Sequence, residues 1–236
     1  MSGWAPKRFW KEATVVEAEG GYTVSLDGRA VKTPAKAPLV VPARAMAEAI
    51  AAEWEAQAEK IDPNTMPVTR GANSAIDKVA KQHAEVAELI AAYGGTDLLC
   101  YRAEAPEPLV ARQAAGWDPL LDWAAAELGA RLTVTAGVIP VAQPAPAQAA
   151  LAARVAAMDP WELAALHDLV GITGSLVLGL AVALGRIDAA TAWDLARIDE
   201  AWQIEQWGED EEAAEQAAFK RAALLDAERF WQLHHG

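Results

Sequence analysis

The sequence predicts an α+β protein in which a small N-terminal antiparallel β domain, residues 1–41, precedes a larger all-helical C-terminal domain, residues 42–236. Two observations carry this prediction. β-forming residues separated by glycine-containing turns fill residues 13–41, and the hydrophobic period changes from two to 3.6 at about Pro42. A chain of 236 residues with 53% hydrophobic content can bury a sizeable core without disulfide bonds.

The N-terminal domain is predicted from short β-forming runs. Asp27-Gly28 lies between two of them and is a strong hairpin signal, because a type I′ turn needs two residues that tolerate positive φ. Gly20-Gly21 marks an earlier turn. The predicted strands are Val15-Val16, Tyr22–Val24, Ala30-Val31 and Leu39–Val41.

The C-terminal domain is predicted from helical periodicity. Pro42 suits a first helical position, and Met46, Ile50 and Trp54 follow it at four-residue spacing on one face. Residues 129–146 predict a long connection with a short strand at Leu132–Thr135. The predicted helices cover residues 42–60, 73–93, 109–128, 147–157, 160–170, 174–184, 189–207 and 210–232.

Composition argues against several classes of protein. The net charge of −13 argues against a nucleic-acid partner, and the single cysteine, Cys100, argues against a disulfide framework. The uncharged stretch Leu169–Gly185 is shorter than the ~20 residues of a spanning helix, so we expect a buried helix and no membrane insertion. The start of the chain lacks the features of a secretory or transit peptide, which predicts a bacterial cytoplasmic protein or a processed form.

Enzyme motifs are missing from the sequence. It contains no phosphate-binding glycine loop, no nucleophile elbow and no His-Glu-x-x-His, so we expect no catalytic residue, no cofactor and no metal. The alternative is an enzyme of unknown type with a pocket at the domain junction, lined by Asp77, Asp97, Tyr101 and Arg102. A self-assembling structural protein is a third class, which a monomer by light scattering would exclude.

The C-terminal region carries the strongest signal for an interaction surface. Asp199, Trp202, Gln203 and Gln206 occupy positions i, i+3, i+4 and i+7 and are predicted to share one helix face. An aromatic residue with a polar rim is typical of interfaces, although a core Trp beside a hydrogen-bonded amide would give the same pattern. The segment 198–219 holds eight acidic residues and no basic one, which suits either a basic partner or a solvated helix start after Gly208.

Nine segments, in this order, resemble the assembly-chaperone family of the F-type ATP synthase that acts on the alpha subunit of the catalytic head in mitochondria and alphaproteobacteria. Each motif is weak alone, but their joint occurrence over nearly the whole chain is specific. The matching segments are Arg8–Lys11, Val24–Pro34, Ala51–Gln57, Ile61–Pro67, Ala72–Asp77, Tyr93–Arg102, Trp117–Leu121, Asp199–Gln203 and Trp207–Ala213.

The resemblance implies a β-rich domain followed by a helical one, and a protein that holds newly made alpha subunit until the beta subunit replaces it. It implies neither catalysis nor a required cofactor, and we expect the free chain to be monomeric. The family's acidic and amide positions carry over to Asp199, Glu200 and Gln203. Trp207 and Glu209 lie beside these positions in the matching segments, and the spacing adds Trp202 and Gln206. The predicted partner-binding set is therefore Asp199, Glu200, Trp202, Gln203, Gln206, Trp207 and Glu209.

Overall fold

The computed structural model describes residues 7–137 and 139–236 and confirms the α+β fold. The strands are β1 (Ala13–Ala18), β2 (Gly21–Leu26), β3 (Arg29–Ala30), β4 (Val40–Val41), β5 (Tyr101–Arg102) and β6 (Thr135–Ala136). The helices are α1 (Arg44–Glu55), α2 (Pro67–Asp77), α3 (His83–Ala91), α4 (Glu107–Glu127), α5 (Ala145–Ala156), α6 (Pro160–Thr173), α7 (Leu176–Ala183), α8 (Ala189–Ala196), α9 (Ile198–Trp207) and α10 (Glu211–His235).

The N-terminal sheet is antiparallel and is built around β2. One edge of β2 pairs with β1, and the other pairs with β3 and β4. Asp27 and Gly28 connect β2 to β3 with φ values of 48° and 83°, so the predicted hairpin is confirmed with both turn residues at positive φ. Helix α1 packs against β1 and β2, and its Met46 and Ile50 are fully buried.

The helix predicted over residues 42–60 exists but ends at Glu55. The Arg8 guanidinium donates hydrogen bonds to the carbonyl oxygens of Glu55 at 2.8 Å and Gln57 at 2.6 Å. These bonds use carbonyl groups at the C-terminal end of α1, where helical partners are missing. Arg8 lies far from these carbonyls in sequence, so local periodicity does not show this helix end.

The single helix predicted over residues 73–93 is wrong, because α2 and α3 replace it with a short 3₁₀ turn between them. Helix α2 begins earlier, at Pro67. The buried Glu53 carboxylate of α1 accepts hydrogen bonds from the backbone N–H groups of Val68 at 2.7 Å and Thr69 at 2.8 Å. A carboxylate at the N-terminus of a helix satisfies free donors and favours the helix dipole, so a residue of another helix fixes this start.

Contacts between Cα atoms divide the chain into two compact units. The first comprises the described residues of Met1–His83 together with Pro160–Ala165 and Arg229–Gly236, and the second comprises Ala84–Asp159 and Leu166–Glu228. This division groups residues by proximity and does not test which segments fold independently. The domains predicted at 1–41 and 42–236 therefore stay a prediction.

In the second unit, α4 holds the junction between α8 and α9. The fully buried Trp117 indole donates a hydrogen bond to the Leu195 carbonyl oxygen at 2.8 Å. Its neighbour Gly116 leaves room for this approach, since a Cβ there would lie 2.9 Å from the side chains of both Leu195 and Ile198. The helix predicted over 189–207 is therefore corrected to two helices, with a break at Arg197 (φ −116°, ψ 24°).

Helix α7 is buried along its whole length, from Leu176 to Ala183, as expected for the uncharged stretch. Ser175 caps its N-terminus, and the buried Asp97 carboxylate accepts hydrogen bonds from the Ser175 hydroxyl at 2.7 Å and the Val177 N–H at 2.9 Å. Within the described ranges, none of the helices combines the length and apolar character needed to cross a membrane.

The remaining elements differ from prediction mainly at their ends. Helices α4, α5, α6 and α10 are all present, with bounds shifted by up to three residues from those predicted. The strand predicted at Leu132–Thr135 is corrected to Thr135–Ala136, which pairs in parallel with Tyr101–Arg102. This pairing joins distant segments, so the position of the strand depends on its partner.

Candidate interaction surface

Helix α9 lies beside α4 and is held there by a buried amide. The Gln113 side chain of α4 is 1% exposed; its carbonyl oxygen accepts a hydrogen bond from the Ala103 N–H at 2.8 Å, and its amide donates to Asp199 Oδ1 at 2.5 Å. Asp199 is half-buried in consequence. One of its carboxylate oxygens is therefore used inside the protein.

A second contact between the two helices involves a cation and an aromatic ring. The Arg112 guanidinium of α4 lies 5.2 Å from the ring centroid of the half-buried Trp202 and forms a bidentate pair with the Glu205 carboxylate at 2.6 and 3.0 Å. The hydrogen bond from Arg112 holds the pKa of the Glu205 carboxyl below its ordinary value. Trp202 thus contributes to packing within the unit, which the sequence left open as an alternative.

The opposite side of α9 faces a groove that it forms with the start of α10. The groove has a volume of about 300 Å³. Its α9 wall is made by Glu200, Gln203, Ile204 and Trp207, and its α10 wall includes Ala213, Ala214 and Ala217. Among the described residues, Arg197, which precedes α9, is the one basic residue of the lining.

Trp207 is the most exposed large hydrophobic side chain among the described residues, with 79% of its surface accessible. Gly208 follows it at φ 90° and ends α9, and the Asp210 carboxylate accepts a hydrogen bond from the Ala213 N–H at 2.8 Å as α10 begins. The predicted helix end and acidic helix start are therefore both present. The Trp207 indole lies at this turn and is exposed to solvent, so packing within the protein does not explain a tryptophan at this position.

The predicted stripe is divided between the two sides of α9. Asp199 and Trp202 lie towards α4, Gln203 lines the groove, and Gln206 is exposed without lining it. Glu200 and Trp207, which the resemblance supplied, belong to the groove, as does Glu209 at its rim. The structure therefore does not bring the seven predicted residues into one continuous patch.

Sequence reasoning missed Ile204 and the three alanines of the groove. Helical spacing could have identified Ile204, because residues 200, 203, 204 and 207 stand at i, i+3, i+4 and i+7 and share a face of α9, as the residues of the predicted stripe do. No comparable signal identifies Ala213, Ala214 and Ala217, since alanine is abundant throughout the chain. Their role follows only from their position opposite α9.

Some acidic residues of the segment 198–219 lie close to a basic side chain, and others do not. Glu200 lies 3.8 Å from Arg197, while Glu205 is paired with Arg112. For Glu209, Glu211 and Glu212, no cation of residues 7–137 and 139–236 lies within ion-pairing distance. The groove lining therefore includes the solvated Glu209 carboxylate together with the paired Arg197 and Glu200, and Glu211 and Glu212 lie outside it.

The polar residues of the alternative enzyme site make structural contacts within their own units. Asp77, in the first unit, accepts hydrogen bonds from the Thr33 hydroxyl at 2.8 Å and the Ala35 N–H at 3.0 Å. In the second unit Asp97 caps the start of α7, Tyr101 lies in β5, and Arg102 pairs with Asp118 at 2.8 Å. Over the part of the chain that the structure describes, no three His, Cys, Asp or Glu side chains are grouped as metal ligands.

Comparison with known proteins gives a consistent answer. The family described as ATP12 chaperone protein matches residues 7–125. The crystal structure of Atp12 from Paracoccus denitrificans has 58% sequence identity and a TM-score of 0.94, covering 97% of this chain and 98% of that one. The Atu1473 protein from Agrobacterium tumefaciens has 48% identity and a TM-score of 0.90, covering 95% and 85%. The mitochondrial protein atp12 of Schizosaccharomyces pombe is 26% identical over 221 residues, 89% of this chain and 76% of that protein.

Proposed function

This chain belongs to the ATP12 chaperone family, and from that premise we propose that it binds the unassembled alpha subunit of the F-type ATP synthase catalytic head. It prevents aggregation of that subunit until the subunit pairs with the beta subunit. The membership confirms the family that the sequence motifs indicated. An unassembled subunit exposes the surface that its neighbour will later cover, and a chaperone that covers this surface keeps it from aggregating.

The observation that best supports a binding role is Trp207 on the acidic surface. A large indole that is 79% exposed beside solvated carboxylates combines contact area with charge that guides encounter. Such an interface is apolar at its centre and polar at its rim, so it can be released without an energy source when the beta subunit competes. The predicted partner-binding residues Glu200, Gln203 and Glu209 surround this indole in the groove.

We place the protein in the bacterial cytoplasm, as a monomer when free, with the mitochondrial matrix as the site of its eukaryotic relatives. Two of the similar proteins are bacterial, and one is named as mitochondrial. Light scattering on the purified chain measures its oligomeric state directly. A stable homo-oligomer would contradict this part of the proposal.

The direct test is to mix the purified chain with isolated alpha subunit. We expect co-elution in size-exclusion chromatography and less light scattering from the alpha subunit on dilution from denaturant, with and without ATP. Isolated beta subunit serves as the control client, and serum albumin as the control protein. If the alpha subunit aggregates equally with the chain and with albumin, the proposed function is refuted.

The role of the acidic residues of α9 and the groove is tested by charge reversal. The sequence alone suggests the double variant Asp199→Lys and Glu200→Lys. Asp199 also accepts the hydrogen bond from Gln113, however, so this variant would change both the stability of the fold and the binding of the partner. Glu200→Lys combined with Glu209→Lys keeps the hydrogen bond between Gln113 and Asp199 and changes two exposed side chains, of which Glu200 also lies 3.8 Å from Arg197. We expect weaker capture of the alpha subunit, with the loss largest at low salt. Glu85→Lys with Glu88→Lys, two exposed acids on α3, is the matched control. Equal capture by both double variants would remove this surface from the proposal.

A further inference from the structure

We propose that the groove between α9 and α10 is the docking site for a basic amphipathic helix of the client, with one large apolar side chain inserted against Trp207. This inference rests on the proposed function and adds the kind of client segment that is recognised. It follows from the shape of the groove, the chemistry of its walls and the charge of its rim.

The walls of the groove are suited to an apolar side chain. Ile204 and Trp207 contribute exposed apolar surface from α9, and Ala213, Ala214 and Ala217 leave the opposite wall free of bulky side chains. The volume of about 300 Å³ is at the lower end of ligand pockets, which suits side chains of a segment lying along the groove. Trp207 is the residue type that most often anchors an interface.

The form of the partner follows from the backbone of the walls. Both walls are helices, whose backbone hydrogen bonds are made within the helix, so they offer no strand edge to an extended segment. Recognition must therefore come from side chains. An amphipathic helix presents apolar residues at i, i+3 and i+4 along one stripe, which matches a groove between two helices.

The charge of the partner follows from the rim. Three acidic residues, Glu200, Glu209 and Asp210, and one cation, Arg197, line the groove, so its lining has an excess of negative charge. The adjoining segment 198–219 has eight acidic residues and no basic one. A helix with Lys or Arg flanking its apolar stripe would place positive charge against this rim, whereas an acidic helix would be repelled. The complementarity selects a basic helix among amphipathic helices.

The test uses a labelled synthetic Lys/Leu helix of about 18 residues with one Trp in its apolar stripe, followed by fluorescence anisotropy. A Glu/Leu helix of the same pattern is the charge control. The full-length chain should bind the basic helix, more weakly as salt rises, and should not bind the acidic one. Equal binding of the two helices would overturn the inference.

Two variants test the groove itself. Trp207→Ala removes the anchor, and Ala213→Leu fills the groove from an exposed position of α10, so neither disturbs the core. Each should weaken binding of the basic helix by about tenfold or more. The matched controls are Phe219→Ala, another exposed aromatic residue at 67%, and Ala218→Leu, both on α10 outside the groove. Circular dichroism and melting confirm that all four variants are folded, and wild-type affinity in the two groove variants would overturn the inference.

Capture of the alpha subunit by the same variants separates the inference from the proposed function. If the wild-type chain and Ala213→Leu capture the alpha subunit equally, the groove is not the docking site and the proposed function stands. If the wild-type chain does not capture the alpha subunit but binds the basic helix through the groove, the proposed function fails and the docking chemistry stands.

Discussion

Removing the Asp199 carboxylate tests whether this residue acts by positioning α9. Gln113 is 1% exposed, and its amide donates to Asp199 Oδ1. Asp199→Ala therefore leaves a buried donor without its acceptor. We expect the variant to fold but to be less stable, with α9 less firmly held against α4.

The size of the effect follows from the hydrogen bond. A buried donor that loses its acceptor costs ~1–3 kcal/mol, and the lower part of this range applies because Asp199 is half-buried and water can replace part of the contact. We therefore expect a loss of about 1–2 kcal/mol in the free energy of unfolding. For a chain of this size such a loss lowers the melting temperature by about 2–8 °C.

The assay is thermal unfolding followed by far-ultraviolet circular dichroism, together with urea unfolding. Asp199→Asn keeps an acceptor oxygen for Gln113 and removes only the charge, so it should stay within about 1 kcal/mol of wild type. Glu209→Ala, an exposed acid of the same surface, is the control and should change stability by less than about 0.5 kcal/mol.

Two results would refute this reasoning. If Asp199→Ala melts at the wild-type temperature, the hydrogen bond to Gln113 contributes no stability and α9 is held by other contacts. If Asp199→Asn is as stable as wild type but loses capture of the alpha subunit, the charge itself is required at the interface, and Asp199 contacts the partner.

Three further changes test other parts of the fold. Asp97→Ala leaves two buried backbone N–H groups and a buried hydroxyl without their acceptor, so the free energy of unfolding in urea should fall by about 3 kcal/mol or more, and an unchanged midpoint would contradict this. Gly71→Ala places a Cβ 2.6 Å from the Phe230 ring and should cost about 1–3 kcal/mol, part of which Phe230→Leu should restore in a double-mutant cycle; additive losses would argue against the contact. The pKa of Asp27 is lowered by backbone N–H donors, and that of Glu55 by the Arg8 side chain and then by a backbone N–H. The two carboxylates therefore stabilise the fold fully at pH values above their ordinary pKa values of 3.8 and 4.5, and this stabilisation is lost as the pH falls through their lowered pKa values. Protection of the backbone amides of residues 8–13 from hydrogen exchange should decrease over that pH range. The decrease should be smaller in Asp27→Asn.

The elements that could be predicted from sequence are those set by local chemistry. The Asp27-Gly28 turn has the two positive φ values that its residue types favour, and α4 has almost the bounds that its periodicity indicates. The fold class follows from such local signals because β-forming runs and helical periodicity occupy separate parts of the chain. The family could be recognised because its motifs occur together and in order, which no single motif would allow.

The element ends that sequence missed depend on residues elsewhere in the chain. Glu53 of α1 fixes the start of α2, and the contact of α4 with the Leu195 carbonyl accompanies the break between α8 and α9. In each case a hydrogen bond crosses from one element to another. Local propensity contains no information about such a partner, so the predicted start at residue 73 and the predicted unbroken helix over 189–207 did not describe these helices.

The sequence by itself determined that the segment of α9 is acidic, with two tryptophans and a glycine at its end, and it predicted a basic partner or a solvated helix start. Only the tertiary structure decided which side of α9 is available. Periodicity states which residues share a face, but burial of a face depends on what packs there. Gln113, 86 residues from Asp199 in the chain, and its neighbour Arg112 cover the side with Asp199 and Trp202. The side with Trp207 stays open because only alanines of α10 stand opposite it, too short to fill the groove.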